Sequence, residues 1–200
     1  FIFGSHRAFA WSTDMQNWNY FQNNINNDTT CQALFKDAFN WAKQGDASYQ
    51  WDGNLWAPDV IWNPDYVNSD GSKGAWCMYM SINGNSWNSS IVLLTSDDLD
   101  GDWTKRGTVV YSGFTESGVH DYKDTDFANV VGSDENAKKF ISEHYKRGSY
   151  KPSYNDGKNV CSETNWNNYY GAHAIDPCVT YDSEGKLWMS YGSWSGGIFL

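Results

Sequence analysis

Short runs in which apolar and aromatic residues alternate with polar ones cover most of the chain, and turn residues separate them. Residues 174–182 read Ala-Ile-Asp-Pro-Cys-Val-Thr-Tyr-Asp, and Lys186-Leu187-Trp188-Met189-Ser190-Tyr191-Gly192-Ser193 follow. The alternation predicts two strands joined by Asp182-Ser183-Glu184-Gly185, an acidic turn closing on the glycine that hairpins favour. An earlier stretch has the same design: Pro58, Val60 and Trp62 overlay Pro177, Val179 and Tyr181. For the second strand, Trp76-Cys77-Met78-Tyr79-Met80-Ser81 overlays Trp188 to Ser193, and Gly4-Ser5 overlays Gly192-Ser193. Third strands are expected at 8–11 and 91–95. Each leads to a similar turn, Ser12-Thr13-Asp14-Met15-Gln16-Asn17-Trp18 in one copy and residues 96–103 in the other. A fourth strand is expected at 108–111.

Four antiparallel, aromatic-rich strands per repeat predict propeller blades. The expected fold class is therefore all-β, a partial β-propeller of about two and a half blades. Residues 1–22 end blade one, 56–111 form blade two and 174–200 open blade three. Two polar insertions, 23–55 and 112–173, separate them. In the first, Leu34, Phe35, Ala38, Phe39, Trp41 and Ala42 recur at helical spacing and predict a short helix over 32–43. In the second, a helix is expected over 137–145. Both ends of the chain cut through blade patterns, and raw strand edges invite aggregation, so a piece of a longer propeller is expected.

The copies differ at one telling position. Asp176 fills the slot that Ala57 holds in the previous repeat, so the repeat itself does not need an acid there. A carboxylate opening an innermost strand is a candidate for function. Its bland alternative is the capping of a turn.

Aromatic residues make up 18% of the chain, a load that suits packing between blades and stacking on sugar rings. The formal net charge of −10 argues against nucleic acid and anionic lipid as partners, and fits a neutral substrate. No apolar run approaches the length of a membrane span. No signal peptide is visible, although the chain opens within a strand pattern and without Met. No CxxC pair points to zinc. Cys77 and Cys178 lie in strand patterns and are expected to be buried thiols. Cys31 and Cys161 lie in polar insertions, where a disulfide remains open.

The set Gly4-Ser5-His6, Trp56-Ala57-Pro58-Asp59-Val60-Ile61, Ala174-Ile175-Asp176-Pro177 and Tyr191-Gly192-Ser193-Trp194 with Gly196-Gly197-Ile198 resembles glycoside hydrolase family 43. Within that family the likeness is to its endo-acting arabinanases. It covers the strands throughout and the insertions loosely. The resemblance implies a five-bladed propeller, extracellular or cell-surface, that hydrolyses α-L-arabinofuranosyl or β-D-xylosyl linkages with inversion. It implies three carboxyls: an Asp base, a Glu acid and an Asp that orients the acid and tunes its pKa. The last role carries over to Asp176. The base and acid have no matching position in this chain, which predicts that the chain alone is inactive. No metal ligand can be assigned and no cofactor is identifiable, although the resemblance leaves room for a structural metal in a complete propeller.

Around Asp176, five residues are candidates for binding an oligosaccharide or polysaccharide. Trp56 opens an innermost strand and offers a face for a sugar ring, or for inter-blade packing. Ser193 and Trp194 end the second strand of blade three; Ser5 and Ser81 share the serine slot, so that serine is also readable as a repeat feature. His6 and His173 can reach sugar hydroxyls, or simply be satisfied polar residues. Asp59 is read as structural. A non-catalytic carbohydrate-binding propeller fits the same aromatics and acidity. The Ser12 to Trp18 turn invites a sialidase reading, but only Arg7, Arg106 and Arg147 exist to hold a substrate carboxylate. A purely structural propeller leaves Asp176 unexplained.

Overall fold

The computed structural model describes residues 1–43, 46–84, 88–113, 122–144, 173–193 and 197–200. The described chain is mostly β, in three antiparallel sheets with a few short helices between them. The first sheet holds β1 (Ile2–Gly4), β2 (Ala8–Trp11) and β3 (Asn19–Tyr20). Helices α1 (Asp28–Leu34) and α2 (Lys36–Ala42) follow. The central sheet runs in chain order through β4 (Leu55–Val67), β5 (Lys73–Ile82), β6 (Ser90–Ser96) and β7 (Thr104–Tyr111). After α3 (Phe127–Val130) and α4 (Asp134–His144) comes the third sheet, β8 (Cys178–Tyr181), β9 (Leu187–Ser193) and β10 (Gly197–Phe199).

The inner strands β5 and β6 of the central sheet are buried on both faces. Met78, Met80 and Ile82 of β5, with Val92 and Leu94 of β6, meet Phe9, Leu55, Trp103, Phe35 and the helical Ala38 and Phe39 in one core. Cys77, Tyr79 and Ile91 point the other way, into a second core with Val110, Ala174, Val179 and Tyr191. Successive side chains of a strand face opposite ways, so a strand buried on both sides reads as an unbroken apolar run. Each fully buried large side chain contributes roughly 1.5–3 kcal/mol.

Facing corrects the overlay of the second strands by one position. Trp76 packs on the first core, whereas in β9 it is Leu187, Met189 and Tyr191 that pack on the second, toward the preceding sheet. Trp188 alternates to the opposite face, where its indole N–H donates to Asp182 Oδ2 at 2.7 Å. Leu187, not Trp188, is the counterpart of Trp76. Likewise Gly4 pairs with Ala8 and Ser193 with Gly197 across connections of equal length, so Gly4 corresponds to Ser193. Matching aromatic identities had concealed a slip that turns every side chain over. The first-strand overlay is unaffected, because Val60 and Val179 each pack toward the preceding sheet.

The expected helix over 32–43 starts earlier and breaks once. The Asn27 side chain accepts from Thr30 N and caps α1, which puts 28–31 inside the helix. Phe35, at φ −103 and ψ 14, separates α1 from α2. Asn24 fastens this insertion to the central sheet: its amide donates to Trp103 O at 2.8 Å and accepts from Trp103 N at 2.9 Å. Cys31 and Cys77 are buried free thiols. Cys178, expected to be buried, is exposed, because Val179 takes the inward position on β8. Cys161 lies outside the described residues.

Candidate active site

Asp176 lies two residues before β8 with φ 51, among the few non-glycine residues at positive φ. That region is uncommon for residues with a Cβ, and Asp is among those that tolerate it best. Its flanks are fixed. Ile175 N donates to His173 O and Ile175 O accepts from Gly192 N, both at 2.8 Å. Gly192 itself has φ 107, and a Cβ there would lie 2.4 Å from Gly197 O, so only glycine makes this contact. Ile175 and Pro177 are buried while Asp176 is exposed. Among the described residues its carboxylate makes no hydrogen bond or ion pair, and partial burial raises its pKa above the ordinary value.

Beneath it lies a buried polar network. Ser89 and Ser112 extend the β6–β7 ladder, with Ser112 N donating to Ser89 O at 2.9 Å. Ser112 Oγ accepts from Ala174 N at 3.0 Å, and Trp41 Nε1 donates to Ser112 O at 2.9 Å. Ser89 Oγ and His173 Nε2 are 2.8 Å apart. Burial drives the His173 imidazole down to about 4, so it is neutral at ordinary pH. His173 therefore anchors the segment leading to β8 from inside the fold rather than facing solvent beside Asp176.

Asp59 joins β4 and β8. Its Oδ2 accepts from Val179 N at 2.5 Å, and its Oδ1 accepts from Val60 N at 3.0 Å. Ala174 lies against Ser112, at the Leu55–Ile82 end of the central sheet, Val179 against Asp59, and Tyr181 within electrostatic reach of Asp65. β8 therefore runs in the same direction as β4. Trp56 precedes Asp59, and Asp176 precedes Val179, by the same number of positions, so both stand at the opening end of paired strands.

Trp56 is 41% exposed, its indole N–H held by Gly53 O at 3.1 Å. The exposed His6 ring meets it edge-on, with centroids 6.0 Å apart. The β1–β2 hairpin is pinned here, because Ser5 Oγ accepts from Ala57 N at 3.0 Å. Trp56 and His6 thus meet, Asp176 stands at the same end of the sheets, and His173 is turned inward. Ser193 closes β9 opposite Gly197; its side chain and the whole of Trp194 lie outside what is described.

One acid escaped sequence reasoning. Asp126, at the N-terminus of α3, accepts a hydrogen bond from the Tyr191 hydroxyl, and burial pushes its carboxyl up to about 6. No motif flags it; its position just before a short helix is the only signal in the sequence. By contrast, Asp14 of the sialidase-like turn is consumed locally. It accepts from Gln16 N and Asn17 N at 2.9 and 2.8 Å, which holds its carboxyl far below the usual range. Among the described residues no His, Cys, Asp and Glu cluster could hold a metal ion.

No family model matches the chain. The extracellular endo-α-(1→5)-L-arabinanase 2 of Bacillus subtilis is 28% identical over 207 residues, covering all of this chain and 31% of that protein. The extracellular endo-α-(1→5)-L-arabinanase of Thermotoga petrophila is 26% identical over 204 residues. The crystal structure of an endo-1,5-α-L-arabinanase from the same organism superposes with a TM-score of 0.62 at 25% identity, over 98% of this chain and 33% of that one. The family 43 glycoside hydrolase YxiA of Bacillus licheniformis gives a TM-score of 0.58 at 27% identity, with the same coverage. The chain spans about a third of the length of the relatives it matches. Sequence and structure thus return the likeness that the motifs carry: the chain resembles glycoside hydrolase family 43, with endo-1,5-α-L-arabinanases among its relatives.

Proposed function

We propose that this chain is part of an inverting family 43 glycoside hydrolase acting on α-1,5-linked L-arabinan, in which Asp176 orients the general acid and raises its pKa. The first, central and third sheets are then the end of blade one (1–22), blade two (56–111) and the start of blade three (174–200) of a five-bladed propeller. Residues 23–55 and 112–173 are its insertions. The reading rests above all on Asp176: a positive-φ carboxylate, unpartnered among the described residues, at the opening of an innermost strand whose counterpart carries Ala57 at the matching position.

Inversion needs an acid and a base roughly 6.5–9.5 Å apart on opposite faces of the sugar. A third carboxylate close to the acid keeps it protonated near neutral pH by like-charge repulsion. Asp176 suits that third role, because its own charge is not spent on a neighbouring cation. The base and the acid belong to parts of the whole enzyme outside this chain, so the chain alone does not hydrolyse arabinan. Trp56 offers its exposed face to a sugar ring and His6 a donor to a hydroxyl, and Ser193 and Trp194 stay candidates for substrate contact. An extracellular site of action is supported by the names of the relatives.

The test is Asp176→Asn in the full-length enzyme on linear arabinan. The turnover number is expected to fall about a hundredfold or more with KM little changed. The alkaline limb of the pH profile moves to lower pH, as the acid loses its negative neighbour. An unchanged turnover number and an unmoved limb refute the assignment.

A further inference from the structure

A groove is lined by the helical insertion and the segment that follows it. Its floor is a stripe along α1 and α2. Lys36, Asn40 and Lys43 follow one another at four and three positions along α2 and its C-terminal cap, the spacing that stacks side chains on one face of a helix, and Gln32 joins the lining from α1 across the break at Phe35. Tyr49 and Trp51 form the opposite wall, and about 240 Å³ lies between them. That is less than the roughly 300 Å³ at which small-molecule pockets begin, room for one sugar unit with its neighbours outside.

The wall is aromatic, and each ring has a partner. The Tyr49 hydroxyl donates to Asn83 O at 2.9 Å. The Arg7 guanidinium lies 5.0 Å from the Trp51 ring centroid, and Phe39 packs 5.5 Å from the same indole. The stripe is polar, exposed and cationic. Both acids of these helices are already neutralised elsewhere, Asp28 by Arg7 at 2.7 Å and Asp37 by Lys105. Lys36 and Lys43 form no ion pair among the described residues, in a chain whose net charge is −10.

We infer that this groove binds an acidic oligosaccharide, a run of uronic acid units, with Lys36 and Lys43 holding carboxylates and Gln32 and Asn40 holding hydroxyls. The three parts of the groove decide the ligand class together. A bare phosphate would leave the amides and the aromatic wall unused. A neutral sugar would leave the two ammonium groups unpaired. Along a helix the lysines are seven residues, or about 10 Å, apart, so successive carboxylates of one chain can reach both. The inference goes beyond the arabinan reading, since arabinan carries no anion. Arg7 links the two regions: it follows His6 in the chain and lies over Trp51.

The experiment is titration calorimetry of the protein with tri-galacturonate, arabinotriose and inorganic phosphate in separate arms. The Lys36→Gln/Lys43→Gln variant is run alongside, its melting temperature checked against wild type. Tri-galacturonate is expected to bind, to weaken with salt, and to lose about tenfold in the variant, since exposed ion pairs each contribute little. Arabinotriose binding, read separately, is unaffected by the variant. Absence of tri-galacturonate binding, phosphate binding of equal strength, or an affinity the variant leaves unchanged each overturn the inference. None of these readouts uses hydrolysis, so the groove and the arabinan reading fail independently.

Discussion

Replacing Asp176 by Gly, Asn and Ala separates what its backbone costs from what its carboxylate does. At φ 51 the residue sits in the left-handed region, where a Cβ costs roughly 1–2 kcal/mol. Glycine is spared that cost but loses roughly 0.5–1 kcal/mol more in chain entropy on folding. The Gly variant should therefore exceed the Ala variant by about 1 kcal/mol. In a chain of this size that is a difference of roughly 2–4 °C in melting temperature. Asp and Asn tolerate this conformation better than Ala and should lie between the two. The charge adds a pH dependence. Partial burial raises the Asp176 pKa in the folded state, so its contribution is fully present below the unfolded pKa and is lost as pH rises through the folded one. Asn should thus match Asp at acidic pH and slightly exceed it at neutral pH. Urea denaturation of the four proteins at both pH values reads all of this. Equal midpoints for Gly and Ala would refute the backbone reasoning. A gap between Asp and Asn that does not depend on pH would refute the electrostatic reasoning.

Two further perturbations bear on how the strands are held. Asp59→Ala removes the acceptor of Val179 N and should cost about 1.5–3 kcal/mol, while Asp59→Asn, which keeps an acceptor oxygen, should cost clearly less by the same denaturation assay. For Asp126, burial takes the carboxyl from 3.8 to about 6, so wild type should lose on the order of 3 kcal/mol of stability between pH 4 and pH 7. Asp126→Asn should abolish that loss. Burial of His173 acts in the opposite sense as pH falls from 6.5 toward 4, and it cancels when the two proteins are compared at each pH.

Local chemistry was readable from the chain and facing was not. The turn at Asp182 could be read because its residues satisfy one another: Asp182 Oδ1 accepts from Glu184 N and Lys186 N, each at 2.9 Å, and Gly185 takes φ 79. The helical insertion could be read from its spacing. Its true start was also written in Asn27-Asp28-Thr29-Thr30, a capping sequence hidden in a polar stretch. The second-strand register failed because Trp76 and Trp188 share an identity but face opposite ways, and only the neighbouring sheets decide facing. The slot of Asp176 was visible as a break in a repeat. The inward turn of His173 was not, since it depends on Ser89, distant in sequence. Asp126 owes its character to Tyr191, a partner that no spacing rule connects to it.

The two-sided burial of β5 and β6 has a consequence for how such a molecule is made. Strands with no watery side cannot mature alone, because whichever neighbour arrives late leaves a greasy flank open to solvent. Stability then grows by nearest-neighbour docking, and damage at one seam, such as Met78 or Tyr79, is felt by the layers on both sides of it.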